Sequence, residues 1–263
     1  MPFAALDIDE ILGRGLFYKG INFASKPAAL RQLLLVREIV EHLPAGSWLT
    51  GVDLGSKYDD LGHILGAHGI RCTRVDIENR PGNHPFILGD GESLPFADAS
   101  VGFVVLSHVI AHVENVDRLL TEVNRVLVPG GRLFVLQSNR YGWWKFWGYY
   151  LRRNDRVSHW RTIDAWGIRR YLFDADLEIE DMYAPYHFYL HSKLSELFYR
   201  IDRSLEHRVP SAIATQWVVR ARKRSSGEEA SIKPRMLTIP EAVVLAALAT
   251  GQAVGIKALE LAT

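Results

Sequence analysis

The sequence predicts an α/β domain built on an open, mostly parallel sheet with helices on both faces. Three observations carry that prediction. Between Trp48 and Ser138, short apolar runs alternate with helical stretches, the pattern of strand–helix–strand units. The runs are almost continuously hydrophobic, as strands covered on both faces must be. Each run also stops at a polar or small residue: Asp53 and Gly55, then Asp76, Asp90 and Ser107. A chain of 263 residues suits one large α/β domain with additions.

In chain order, SKPAALRQLLLVREIVEHLP comes first. Ser25 can cap a helix there, Pro27 sits in its first turn, and Leu30, Leu33, Leu34, Ile39 and Leu43 share a face. Pro44 and Gly46 stop it. WLTGVDLG is the first buried strand, DLGHILGAHG a short helix ending at Gly69, and IRCTRVDI the second strand. PFILGD is the third strand and VGFVVLSHV the fourth. The helix VDRLLTEVNRVL follows, and Pro129-Gly130-Gly131 is expected to turn sharply into a fifth strand, RLFVLQS. Beyond Asn139 the stretch to Leu172 holds five of the seven tryptophans, with arginines among them. LEIEDMYA resumes strand character, HSKLSELFYRIDRSL is an amphipathic helix, and ATQWVVRARK is a last strand. SSGEEASIKP reads as a linker to an apolar, helical tail.

Composition removes several classes of function. Thirty-one basic residues face thirty acidic ones, a net charge of +1, too little for a protein held to nucleic acid by phosphate contacts. Cys72 is the sole cysteine, so a multi-cysteine zinc site is excluded and a reducing compartment such as the cytoplasm is expected. The opening MPFAALDIDE lacks a basic segment before an apolar one and is not expected to be a signal peptide. No uninterrupted apolar stretch reaches the roughly 20 residues of a spanning helix.

Ligands of open α/β sheets bind beyond the carboxyl ends of the strands, where strand order reverses. Asp53, Gly55, Asp76, Asp90, Ser107 and His108 all fall at such ends. Taken singly, each acid is an ordinary solvated loop residue. Their joint placement at successive strand ends points to a bound ligand.

The segment Val52–Gly131 carries a more specific signal, strongest in GDGESLPFADASVGFVVLSHVIAHVENVDRLLTEVNRVLVPGGRL. It resembles the class I S-adenosylmethionine (SAM)-dependent methyltransferases of small molecules, the family related to the ubiquinone- and menaquinone-pathway enzymes. The resemblance is close over about a third of the chain and extends loosely to Lys223. It implies a Rossmann-like sheet, SAM as cofactor, and a substrate cap inserted after the fifth strand. By position, Asp53, Gly55 and Ser56 belong to the loop beneath the methionine part of SAM. Asp76 would accept from the ribose hydroxyls, and Ile77 would pack on the adenine. Asp90 would accept from the adenine amino group with the Gly91 backbone beside it, and Ser107 and His108 would face the sulfonium. Two departures are visible: Lys57 and Asp59 stand where the family has further glycines, and Gly102 where it commonly has an acid.

The implied boundaries are a methyltransferase domain over 1–225, with its cap about 140–175, and a linker with a helical extension over 226–263. Methyl transfer needs a base only where the acceptor loses a proton. His108, His159 and Tyr141 are the candidates. The aromatic block from Tyr141 to Trp166 suits a flat or greasy acceptor with an anionic handle for Arg152, Arg153 or Arg161. It equally suits simple packing of the cap, and a membrane-surface contact is a third use of YGWWKFWGYYLRR. The expected function is transfer of a methyl group from SAM to a small, hydrophobic or aromatic metabolite. The second reading is a non-catalytic SAM-fold protein that binds a partner, or another copy of itself, through the apolar tail. A nicotinamide-dependent oxidoreductase is set aside, because GVDLGSKYDDLG lacks G-x-G-x-x-G.

Overall fold

The computed structural model describes residues 17–18, 21–22, 35–43, 50–56, 60–79, 82, 85–139, 163–183 and 216–225. A two-stranded antiparallel pair, β1 (Phe17–Tyr18) and β2 (Ile21–Asn22), precedes helix α1 (35–42). The main body follows as β3 (Thr50–Leu54), α2 (Asp60–Ala67), β4 (Arg71–Asp76), β5 (Phe86–Leu88) and β6 (Val101–Ser107). It continues through α3 (Val116–Val126), β7 (Leu127–Ser138), α4 (Ala165–Asp174), β8 (Leu177–Tyr183) and β9 (Gln216–Lys223). The strands form one seven-stranded sheet, ordered β5-β4-β3-β6-β7-β9-β8. Only β9 runs against its neighbours. This is the predicted open, mostly parallel sheet.

The sheet is covered on both faces because its strands alternate two apolar sets. Phe103, Val105, Phe134, Leu136 and Val218 pack with α1 and α2 through Leu35, Ile39, Leu61, Ile64 and Leu65. Val52, Leu54, Val104, Leu106, Leu133, Val135 and Trp217 pack on the other face with α3 and α4. Helix α3 presents Val116, Leu119, Leu120, Val123 and Val126, the spacing that aligns side chains along one helical face. Asn115 caps it by accepting from the Arg118 N–H at 3.0 Å. Helix α1 is fixed to the antiparallel end of the sheet by Glu38, only 4% exposed. Its carboxylate accepts from the Tyr183 hydroxyl at 2.6 Å and from Arg220 at 3.0 Å. Among the described residues, no helix is long and apolar enough to cross a membrane.

One expectation is corrected. Pro129-Gly130-Gly131 does not separate the helix from the strand, because β7 already begins at Leu127. Val101 pairs with Leu127 and Phe103 with Arg132, so the extra residues of β7 bulge out of the ladder. Gly130 takes φ 76°, and a Cβ on Gly131 would lie 2.8 Å from the Val128 carbonyl oxygen, so the bulge needs both glycines. Within the span expected for the cap, residues 165–174 form α4, whose fully buried Ile168 and Leu172 join the same core cluster as α3. Residues 140–162, the predicted helix 191–205 and the tail 226–263 lie outside the described residues, as do Ser25, Pro27, Leu30, Leu33 and Leu34.

The loop that follows β5 is tied to α3 by one arginine. Arg125 donates to the Leu94 carbonyl at 3.0 Å, the Phe96 carbonyl at 2.9 Å and Asp98 at 2.6 Å. It also grips Glu122, whose carboxylate accepts from the Leu94 N–H at 2.9 Å. The Arg125 guanidinium holds Glu122 below its ordinary carboxyl pKa, outweighing the opposing effect of burial. Arg125→Ala should therefore destabilise the fold by about 1–3 kcal/mol in urea unfolding, the scale for hydrogen bonds to a charged group. A depressed folded pKa stabilises above the unfolded value and is lost as pH falls through the folded one. The difference between variant and wild type should accordingly shrink as the pH is lowered from neutrality to below 4.5.

Candidate functional site

The chain leaves β3 toward β4 and β5, then crosses back to lay β6 on the other side of β3. Strand order reverses between β3 and β6, and their carboxyl ends bound a crevice that neither crossover covers. Asp53 is the penultimate residue of β3 and 5% exposed. Gly55 follows with φ 71° and donates its N–H to the Val75 carbonyl at 2.7 Å. A Cβ at Gly55 would sit 2.5 Å from a Val109 methyl, so this left-handed, crowded position excludes other residues.

Sequence reasoning missed Arg74, which holds the next residue. Arg74 is wholly buried on β4, and its Nε donates to the buried Ser56 hydroxyl at 3.2 Å. Its guanidinium lies 5.4 Å from the centre of the Phe86 ring, a cation–π contact that helps to offset the loss of water. The cause is register, which places Asp53, Arg74 and Phe86 side by side on adjacent strands. An arginine two residues before the strand-end Asp76, within an apolar run, was the available signal.

Asp76 ends β4, 9% exposed, with one carboxylate oxygen accepting from the Glu78 N–H at 3.0 Å. An ionised carboxylate has about four acceptor positions, so this bond still suits it to a pair of hydroxyls. Beside it stand Ile77 at 71% and Leu88 at 62% exposure, the large hydrophobic side chains left open to solvent among the described residues. Leu88 pairs with Asp76 in register, a neighbour that sequence spacing alone does not reveal. Asp90 lies at the rim, its carboxylate accepting from the Glu92 N–H at 2.9 Å, and Gly91 is buried behind it.

Across the crevice, Ser107 closes β6 half-buried, and His108 follows with φ 61°. Of the described non-glycine residues with positive φ, His108 alone sits at the carboxyl edge. Its N–H continues the ladder to the Leu136 carbonyl at 2.8 Å, and its ring Nδ1 faces the Ser138 hydroxyl at 3.4 Å. His159 and Tyr141 lie outside the described residues. All the described candidates thus gather at one edge. A separate cavity of about 360 Å³ opens at the opposite, amino edge, lined by Thr50, Arg71, Cys72, Thr73 and Pro85. It holds none of the strand-end carboxylates. No cluster suited to a metal ion occurs among the described residues.

Residues 50–135 match a family model described as a methyltransferase domain. The chain is 33% identical to the ubiquinone/menaquinone biosynthesis C-methyltransferase of Rubrivivax gelatinosus over 102 residues, 35% of this chain and 41% of that protein. It is 34% identical to the malonyl-[acyl-carrier protein] O-methyltransferase of Methylococcus capsulatus over 118 residues, 38% of this chain and 43% of that one. The chain therefore spans less than half the length of these relatives. Its fold is similar to that of a SAM-dependent methyltransferase from Thermotoga maritima, described as a possible histamine N-methyltransferase. The TM-score is 0.55 at 23% identity, covering 74% of this chain and 89% of that one. Residues 50–135 are therefore similar to a methyltransferase domain, and the fold is similar to that of a SAM-dependent methyltransferase.

The geometry at Gly55 makes a direct prediction. Gly55→Ala should lower stability by about 2–4 kcal/mol in denaturant titration, combining a left-handed backbone penalty with overpacking against Val109. An equally stable variant would mean that the loop has room to move away from Val109.

Proposed function

We propose that the chain transfers a methyl group from SAM to a small, hydrophobic or aromatic metabolite, with the cytoplasm as its setting. The carrying observation is Asp76, a strand-end carboxylate flanked by the exposed apolar surfaces of Ile77 and Leu88 at the order-reversal crevice. That combination fits an adenosine: the carboxylate suits a ribose diol, and the apolar side chains suit a purine face. Asp90 and Gly91 extend it toward the purine edge. Asp53, Gly55 and Ser56 would hold the methionine part, with Gly55 allowing the backbone to approach closely.

When bound, SAM supplies an electrophilic methyl carbon on a positively charged sulfur, whose charge disappears on transfer. The chain's own part is alignment and exclusion of water. Ser107 and His108 form the wall toward the reacting centre. Where the acceptor must lose a proton, His108 takes it at Nε2, since Nδ1 faces Ser138. His159 and Tyr141 stand as alternative bases from the predicted cap. The second reading, a non-catalytic SAM-fold protein, is favoured by one observation: Lys57 and Asp59 occupy positions where the family carries glycine.

Calorimetry separates the two readings. The wild type should bind SAM and S-adenosylhomocysteine, and Asp76→Ala should weaken binding by about 1.5–3 kcal/mol, the scale of hydrogen bonds to a charged group. No heat of binding at millimolar SAM would overturn the catalytic reading. His108→Ala should leave SAM affinity within about twofold while slowing transfer to a proton-bearing acceptor, because it acts on the acceptor side only.

A further inference from the structure

On the face of the sheet that packs against α1 and α2, the outermost rung changes character. Lower in the column, Phe134, Leu136 and Val218 are wholly or almost wholly buried apolar residues. Ser138 and Gln216 come next, directly opposite each other on β7 and β9, and residues so paired share a face. His108 joins the row from β6 through its 3.4 Å approach to the Ser138 hydroxyl. Gln216 is only 6% exposed, and its amide oxygen is buried with no hydrogen-bond partner among the described residues. Leaving a buried carbonyl unpaired is unfavourable, and such a group in a native fold calls for a partner.

We propose that Gln216, Ser138 and His108 form a polar shelf that recognises the methyl acceptor by a hydroxyl or amine on it. The proposal rests on the carboxyl edge being the methyl-transfer site and deepens that reading by naming the acceptor class. An amide oxygen only accepts, so the group that satisfies it must bring an O–H or N–H. The Ser138 hydroxyl can accept or donate, which lets it serve His108 and the same ligand group. The apolar column beneath, capped by Leu136 and Val218, offers no competing polar partner. Acceptors bearing O–H or N–H are therefore preferred over ones that present only carbon at this edge, because the latter would leave Gln216 unpaired.

The test uses the full chain and two probes, phenol and anisole, which differ by a methyl group in place of the hydroxyl hydrogen. Their binding is followed by ligand-observed NMR, with and without S-adenosylhomocysteine. Phenol should bind about tenfold more tightly than anisole, as expected when one hydrogen bond to a buried acceptor is gained. Gln216→Leu should erase that preference without lowering Tm or S-adenosylhomocysteine affinity, since removing an unpaired buried amide is neutral or stabilising. Gln216→Met, which also lacks the carbonyl, serves if leucine disturbs the strand. Ser138→Ala should shift the ring-nitrogen NMR signals of His108. Equal binding of the two probes, or a preference that survives both Gln216 variants, overturns the shelf. If the phenol preference is present but S-adenosylhomocysteine does not bind, the shelf stands and the methyl-transfer reading falls. If S-adenosylhomocysteine binds but the preference is absent, only the shelf falls.

Discussion

The structure depends on a topological constraint: β3 and β6 are neighbours in the sheet, yet their chains leave in opposite directions. One crossover carries α2 toward β4, and the other carries α3 toward β7. Helices can then cover both faces of the sheet but not the gap at the carboxyl ends between them. The middle of both strands below that gap is buried, as Val52, Val104, Val105 and Leu106 show. Polar side chains gather toward the carboxyl edge of the sheet, at Asp53, Asp76, Ser107, Ser138 and Gln216. The same boundary that limits the core creates the site.

That boundary explains which parts were legible in the sequence. A buried strand reads as an apolar run, and a run that stops at Asp53, Asp76 or Ser107 announces its own carboxyl end. Every strand from β3 to β9 was therefore visible along the chain, although β7 begins earlier than its PGG signal suggests. Partners set by register were not visible. Arg74 is remote in sequence from Ser56, Leu88 from Asp76, and Gln216 from Ser138, and only strand pairing brings each pair together. Helix α4 carries arginines and aromatic residues, and its fully buried Ile168 and Leu172 join it to the core, a contact that spacing alone does not reveal.

Buried charge anchors the far end of the sheet. Burial pushes the Glu180 carboxyl up, but the Arg132 and Arg220 guanidiniums outweigh it and hold the group below its ordinary value. Arg220 also reaches Glu38, and Glu38 reaches Tyr183, so one connected network joins α1, β7, β8 and β9. A carboxylate as buried as Glu38 is tolerable only when it is paired and hydrogen-bonded, which fixes the position of α1 along the sheet. Tyr183 ends β8 at the carboxyl edge, so this network sets the height at which α1 stands beside the polar rung.

The departure at Lys57 and Asp59 gains meaning from Arg74. A glycine-rich loop lets the backbone come close to a ligand, but at a cost in conformational entropy on folding. In this chain that freedom is kept at Gly55, where φ is 71° and Val109 leaves no room for a Cβ. One residue later, the Ser56 hydroxyl accepts from the Arg74 guanidinium. Arg74 is itself held by its contact with the Phe86 ring and by its strand, which is paired on both sides with β3 and β5. The close approach that the proposed SAM contact needs would then fall at Gly55 and Ser56. Beyond Ser56 the chain can carry larger side chains without surrendering the geometry at the end of β3.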